Sequence, residues 1–285
     1  MENINAFTIL PMSQRFQLKA GETTKGSIKI VNPADATEDF SYKVSVSPYG
    51  VAGEDYEADL VTDSEHTAIA KWIKISEPTG TIKPNETKEV EFTIEVPADA
   101  PAGGQYAAIA VSSDNATEQG SGVAVQNVFE MASIVYGTVA GESHHEGEVL
   151  ENNIPGFVVA PPVTLSALIN NEGNVHADAT FVIAVSDFFS GRVILPTEED
   201  EGEYSEIIMP DTTRRIEREV SNLPSLGAVK ISQTIYYNGV ATPQEKVVII
   251  CPIWFLALVI ATIVAIITTI VRIVIKHKKH KRVDV

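Results

Sequence analysis

With one cysteine, Cys251, in 285 residues, the chain can form no internal disulfide. That excludes a disulfide-framed secreted domain and favours a bacterial envelope over a eukaryotic surface. Aromatic residues are scarce at 7% of the chain, with two tryptophans, so each one near a loop counts as a recognition candidate. Catalytic signatures are missing too: there is no G-x-S-x-G, H-E-x-x-H, C-x-x-C or Gly-Lys-Ser/Thr phosphate loop. The histidines do not gather at ligand spacing. His277 and His280 lie in the C-terminal tail, His144 and His145 are adjacent, and His66 and His176 stand apart. The expectation is a protein with no catalytic residues, no metal and no cofactor.

Long apolar runs are also lacking, until the end. Ile253 to Val271 are 19 residues without a charge. At about 1.5 Å of rise per residue they span a hydrocarbon core roughly 30 Å thick. Arg272, Lys276, Lys278, Lys279, Lys281 and Arg282 follow, and basic residues flanking a span stay on the cytoplasmic side. The expected protein is therefore single-pass in a bacterial plasma membrane, with the N-terminal ectodomain outside and the tail inside. Residues 253–285 hold six of the 21 Lys and Arg but one of the 38 Asp and Glu, which leaves the preceding 252 residues at net −22. So acidic an ectodomain repels nucleic acid. Met1 to Leu10 carry no basic n-region and no apolar h-region, so the expected chain is a mature form or one whose true start lies upstream.

Before the span, apolar residues repeat with period two. Phe40, Tyr42, Val44 and Val46 alternate with polar neighbours, as do Val90, Phe92, Ile94 and Val96, and later Phe181, Ile183 and Val185. Turn clusters separate these runs, including Lys83-Pro84-Asn85-Glu86 and Met209-Pro210-Asp211. This is the grammar of antiparallel sandwiches. The order of turn, strand, Pro–Gly corner and strand recurs about 125 residues apart, from Pro84 and from Pro210, as in a duplicated unit. The expected fold is all-β: two tandem immunoglobulin-like sandwich domains at 1–141 and 154–248 around a hinge at 142–153. One transmembrane helix at 249–275 and a basic tail at 276–285 complete it.

Four aromatics lie in or near loops of the first half: Tyr49, Tyr56, Trp72 and Tyr106. Each can stack on a sugar ring or anchor a protein partner. Trp72, in the strand-like run Trp72-Ile73-Lys74-Ile75, reads more readily as core, and Tyr56 as the better exposed. The acidic stretch 198–203 lacks the alternating ligands of a calcium loop and reads as solvated. Asn85-Glu86-Thr87 and Asn115-Ala116-Thr117 match the glycosylation sequon, which a bacterial host ignores. Ala257, Ala261 and Ala265 form a small-residue stripe that permits close helix packing.

Taken in order, these motifs resemble the WxL-interacting proteins, cell-surface proteins of Gram-positive bacteria. The residues that carry the likeness are Phe16-Gln17-Leu18, Ala20-Gly21-Glu22-Thr23 and Ile28-Lys29-Ile30-Val31-Asn32. A Gly-to-Tyr56 loop, Trp72-Ile73, Pro84-Asn85-Glu86-Thr87 and Ala102-Gly103-Gly104-Gln105-Tyr106-Ala107-Ala108-Ile109 follow. The resemblance covers roughly 1–140 by motif and the remainder by layout. It implies a first domain that contacts peptidoglycan and an ectodomain that docks surface proteins carrying WxL domains. The alternatives are an inert spacer and a subunit of a membrane-protein assembly packed through Ala257, Ala261 and Ala265. Oligomeric state is not legible.

Overall fold

A computed structural model describes residues 7–113 and 130–280. The sequon Asn115-Ala116-Thr117 and the basic residues Lys281 and Arg282 lie outside the described residues. The first strands are β1 (Thr8–Leu10), β2 (Ser13–Leu18), β3 (Thr23–Val31), β4 (Phe40–Pro48), β5 (Gly50–Ala52) and β6 (Glu57–Asp59). A 3-10 turn (Ala68–Lys71) precedes β7 (Ile73–Ile75), β8 (Thr79–Ile82), β9 (Thr87–Glu95), β10 (Gly103–Ser113) and β11 (Glu130–Val139). The later strands are β12 (Gly147–Asn153), β13 (Phe157–Val158), β14 (Val163–Asn171), β15 (Ala177–Asp187) and β16 (Val193–Leu195). Then come β17 (Glu203–Ile208), β18 (Thr212–Val220), β19 (Gly227–Tyr237), β20 (Val240–Ile250) and the helix α1 (Ile253–His280).

The chain divides into two compact units. The first holds the described residues of Met1–Glu148 with Ile169–Ala177 and Ile207–Arg214; the second holds Val149–Leu168, Asp178–Glu206 and Arg215 onward. In the first unit, sheets ordered β1-β3-β9-β7 and β2-β11-β10-β4-β8 supply the core. Ile28, Ile30, Val90, Phe92 and Ile94 from one sheet share a cluster with Tyr42, Val44, Ile109, Val111 and Val135 from the other. The period-two runs put these side chains on the inner faces. Strand β10 departs from period two because Gly103 through Val111 are all buried. Small residues at Gly103, Gly104, Ala107, Ala108 and Ala110 let both of its faces be covered. The second unit has its own core, with Val163, Leu165, Ile183, Val185, Val229, Ile231 and Val248 all buried.

The sequence echo has a topological counterpart. The order β1-β3-β9 recurs as β12-β14-β18, and β2-β11-β10-β4-β8 recurs as β13-β20-β19-β15-β16. Strand β2 runs parallel to β11, and β13 runs parallel to β20. A buried asparagine closes the equivalent corner in each repeat. The Asn32 side-chain amide donates to the Glu38 and Ile82 carbonyls at 3.1 and 3.0 Å. The Asn171 amide donates to Val175 and Ile208, both at 2.9 Å.

Two boundaries differ from the sequence reading. Residues 147–153 of the expected hinge form β12, an edge strand whose glutamates interrupt any apolar alternation. The helix begins at Ile253, because Ile249 and Ile250 still pair in β20, and it continues to His280. Among the described residues, Ile253–Ile273 is the stretch long and apolar enough to cross a membrane. Within it, the hydroxyl of Thr262 donates to the Leu258 carbonyl and those of Thr268 and Thr269 to Ala265, so each threonine hydroxyl is satisfied inside the helix. Ala257, Ala261 and Ala265 are spaced four apart, on one face. Arg272, Lys276, Lys278 and Lys279 lie in its last turns.

Candidate functional site

Three of the four sequence-selected aromatics come together in the first unit, joined by residues that sequence reasoning did not single out. Tyr106 and Tyr136 are buried beside Met209, with Tyr49 and Tyr56 packed against them. Ring centroids lie 5.8 Å apart for Tyr106–Tyr136 and 6.3 Å for Tyr49–Tyr136, both edge-to-face. Such pairs each contribute about 0.5–1.5 kcal/mol beyond area burial. Trp72 lies elsewhere, in the main core after the 3-10 turn.

Tyr106, expected near a loop, sits inside β10 and is fully buried. Its hydroxyl accepts the His176 backbone N–H at 2.9 Å and lies 3.2 Å from His176 Nδ1. Burial raises its pKa, against the hydrogen bond from the His176 N–H, which lowers it. The preceding glycines make this placement possible. Gly103 has φ +118°, and a Cβ there would lie 2.7 Å from the Asn174 carbonyl oxygen; a Cβ on Gly104 would collide with the Tyr106 hydroxyl. The Gly104 N–H instead donates to Asn174 O at 2.7 Å.

Tyr56, expected to be the better exposed, is half-buried. Its φ of +59° turns the ring inward from the β5–β6 hairpin. The hydroxyl accepts the Met209 N–H at 2.8 Å and is hydrogen-bonded to Thr212 Oγ1. The Arg214 guanidinium stands 4.6 Å over the ring centroid. Desolvation raises its pKa against those hydrogen bonds. Tyr49, between β4 and β5, keeps part of its surface open.

A cavity of about 410 Å³ opens here, with Tyr49, Val51, Tyr106 and Met209 giving apolar walls and Glu65, His66, Asp211 and Thr212 giving a polar side. A second cavity of about 380 Å³ shares Glu65, His66 and Asp211 and adds Gln105, Glu146 and Glu172. The loop before the 3-10 turn is held at this position by the Tyr106 N–H donating to His66 O at 2.7 Å and by Gln105 Nε2 donating to Glu65 O at 2.7 Å.

The shared residues form the one group of imidazole and carboxylates, among the described residues, whose donor atoms lie within 4.8 Å of one another. His66 Nδ1 is 3.0 Å from the Gly104 carbonyl, which can only accept, so Nδ1 carries a proton. Nε2 then faces Asp211 Oδ2 at 3.3 Å. One imidazole and two carboxylates suit a divalent cation such as Zn²⁺ with open coordination positions, or the ammonium of a ligand. His66 and Asp211 are 145 residues apart, and no local spacing links them. The signal that does exist is the repeat: Asp211, with φ +54°, occupies the turn that Asn85, with φ +63°, occupies one unit earlier.

No protein-family model matches the chain, and no curated protein matches it in sequence. Solved structures similar to it include the class 5 fimbriae chaperone CfaA, 14% identical over 85% of this chain and 99% of that one, with a TM-score of 0.39. The Salmonella enterica SafA pilin–SafB chaperone complex gives 10% identity over 88% and 99%, with a TM-score of 0.41. The CsuC–CsuE chaperone–tip adhesion subunit complex of Acinetobacter baumannii gives 14% over 85% and 98%, with a TM-score of 0.38.

Proposed function

We propose that this chain is a non-catalytic surface protein of a bacterial envelope. In this reading α1 anchors it in the plasma membrane, two tandem immunoglobulin-like sandwiches lie outside, and the first unit binds peptidoglycan as a wall tether of the WxL-interacting kind. The observation that carries the reading is the 410 Å³ cavity, where Tyr49 and Val51 adjoin Glu65, Asp211 and Thr212. An amino-sugar ring has an apolar face that stacks on an aromatic and hydroxyls that donate to carboxylates. Wall peptides add ammonium groups, which the acidic ectodomain attracts. Tyr49 takes the ligand-facing role here, since Tyr106 is fully buried and the Tyr56 ring is covered by Arg214, whereas Tyr49 keeps part of its surface open.

The test is co-sedimentation of the full chain, in detergent micelles, with purified peptidoglycan at physiological salt. Pelleting that drops several-fold in Tyr49→Ala and in Asp211→Asn supports the reading. A chain that stays in the supernatant contradicts it and leaves a surface protein as the partner.

A further inference from the structure

The end of the second unit from which α1 departs is apolar, and its phenylalanine loop holds no charge between Asp187 and Arg192. The segments that reach this end are 159–162 (Val-Ala-Pro-Pro), 188–191 (Phe-Phe-Ser-Gly), 221–226 (Ser-Asn-Leu-Pro-Ser-Leu) and 250–252 (Ile-Cys-Pro). None contains a charged residue, although the 252 residues before the helix carry net −22. Phe157, Val159, Phe188, Phe189, Leu226 and Ile249 are all exposed, Phe189 at 81%.

The strand register places these residues at one level. Asp187 pairs with Val229, which pairs with Val248; Ala228 pairs with Ile249 and Gly227 with Ile250. The Phe188 N–H donates to Ala228 O at 3.0 Å, so Phe188 and Phe189 continue β15 alongside the last residues of β20. On the other flank, Phe157 pairs with Ile249. One strand, β19, separates β15 from β20, and two strand spacings give a lateral distance of about 10 Å. From Ile250 to Ile253 the chain spans at most about 10 Å. The Cys251 N–H donates to Val158 O at 3.0 Å, and the Phe255 N–H to Pro252 O at 3.0 Å, so sheet and helix join without a slack linker. In the acidic stretch 198–203, Gly202 O accepts the Ile183 N–H, four residues, or about 13 Å, before Asp187, and Asp200, beside Ser221 and Asn222, is paired with Arg218 at 3.7 Å.

The phenylalanine loop is built rigidly. Asp187 Oδ1 accepts the N–H of Phe189 at 3.1 Å and both the N–H and the hydroxyl of Ser190 at 2.7 Å. Gly191, at φ +69°, closes it by donating to Asp187 O at 2.9 Å. The two rings stand edge-to-face with centroids 5.3 Å apart. A protein that leaves such rings in water normally has a use for them.

We infer that this rim is a second membrane contact, with Phe188 and Phe189 seated among the lipid headgroups and upper acyl chains of the bilayer that α1 enters. Aromatic and aliphatic side chains favour that zone, and Trp254 in the first turn of α1 belongs to it as well. The exposed Arg192 that ends the loop supplies a cation for lipid phosphates. The effect is to hold the second unit against the membrane at points on either side of β20, so that the helix is not a free swivel. The inference rests on α1 being a membrane span.

The test uses the full chain carrying Cys251→Ser, reconstituted into phosphatidylcholine–phosphatidylglycerol vesicles. An environment-sensitive fluorophore is attached at Phe189→Cys, at Asn238→Cys in the β19–β20 turn at the opposite end of the sheet, or at Thr262→Cys within α1. Nitroxide lipids labelled near the headgroup serve as quenchers. Expected are blue-shifted, quenched emission at position 189, unquenched emission at 238, and quenching at 262 by deeper nitroxides. Quenching at 262 without quenching at 189 overturns the inference and leaves the anchor intact. A blue shift at 189 that lipid nitroxides do not quench overturns it in favour of a protein neighbour. No quenching at 262 overturns the inference and the anchor together.

Discussion

At the scale of single residues, the tyrosine cluster holds its position through hydroxyls as much as through rings. Tyr106→Phe keeps the ring but removes the acceptor of the His176 N–H, a loss of about 1 kcal/mol for a half-buried donor. A lower melting temperature with an unchanged β-sheet circular dichroism spectrum is the expected result. Burial, the first cause in each case, raises the pKa of Tyr56, Tyr106 and Tyr136. A raised folded value means stability fully present below the ordinary phenol value of about 10 and lost as pH rises through the folded values. Phenolate absorbance is therefore expected to rise late in the folded chain and near pH 10 in the denatured one. Asp187 has the opposite sign. The backbone hydrogen bond from Ser190, then its side-chain bond, lowers the pKa of that carboxyl. The loop at 188–190 keeps its caps above about pH 3.9 and loses them as pH falls through the lowered value. Hydrogen exchange of the Phe189 and Ser190 amides is expected to speed up there beyond what the intrinsic rate accounts for.

At the scale of elements, the corners that repeat between the two halves are the clearest points of fixed structure. Asn32→Ala removes two donor bonds to the Glu38 and Ile82 carbonyls, and Asn171→Ala removes those to Val175 and Ile208. Each substitution strands buried acceptors and is expected to cost about 2–3 kcal/mol, whereas Asn170→Ala, a half-buried neighbour, costs far less. Chemical denaturation of the three variants ranks them. The strands around Phe40, Val90 and Phe181 were legible because one face is buried and the other wet, which writes period two into the sequence. Strand β12 was not, because Gly147-Glu148-Val149-Leu150-Glu151 at a sheet edge has no such contrast. Tyr106 was misplaced for a related reason. Ala102-Gly103-Gly104 reads as a corner, yet those glycines begin a strand covered on both faces. Trp72 in the core follows its apolar run. Tyr136, His176 and the His66–Asp211 contact carry no local signal, since their meeting depends on segments thirty or more residues apart.

At the scale of the whole molecule, the account joins one apolar helix to an acidic β-ectodomain. In the proposed reading the apolar rim beside Ile250 meets lipid and the acidic remainder meets water. The direct test is protease treatment of intact cells, stripped of their wall, that express the full chain with an antibody epitope appended to its C-terminus. The account predicts that external protease removes the first 246 residues and leaves a short membrane-bound fragment bearing α1 and the epitope, which is digested only after lysis. An ectodomain protected in intact cells, with the epitope lost first, would contradict it.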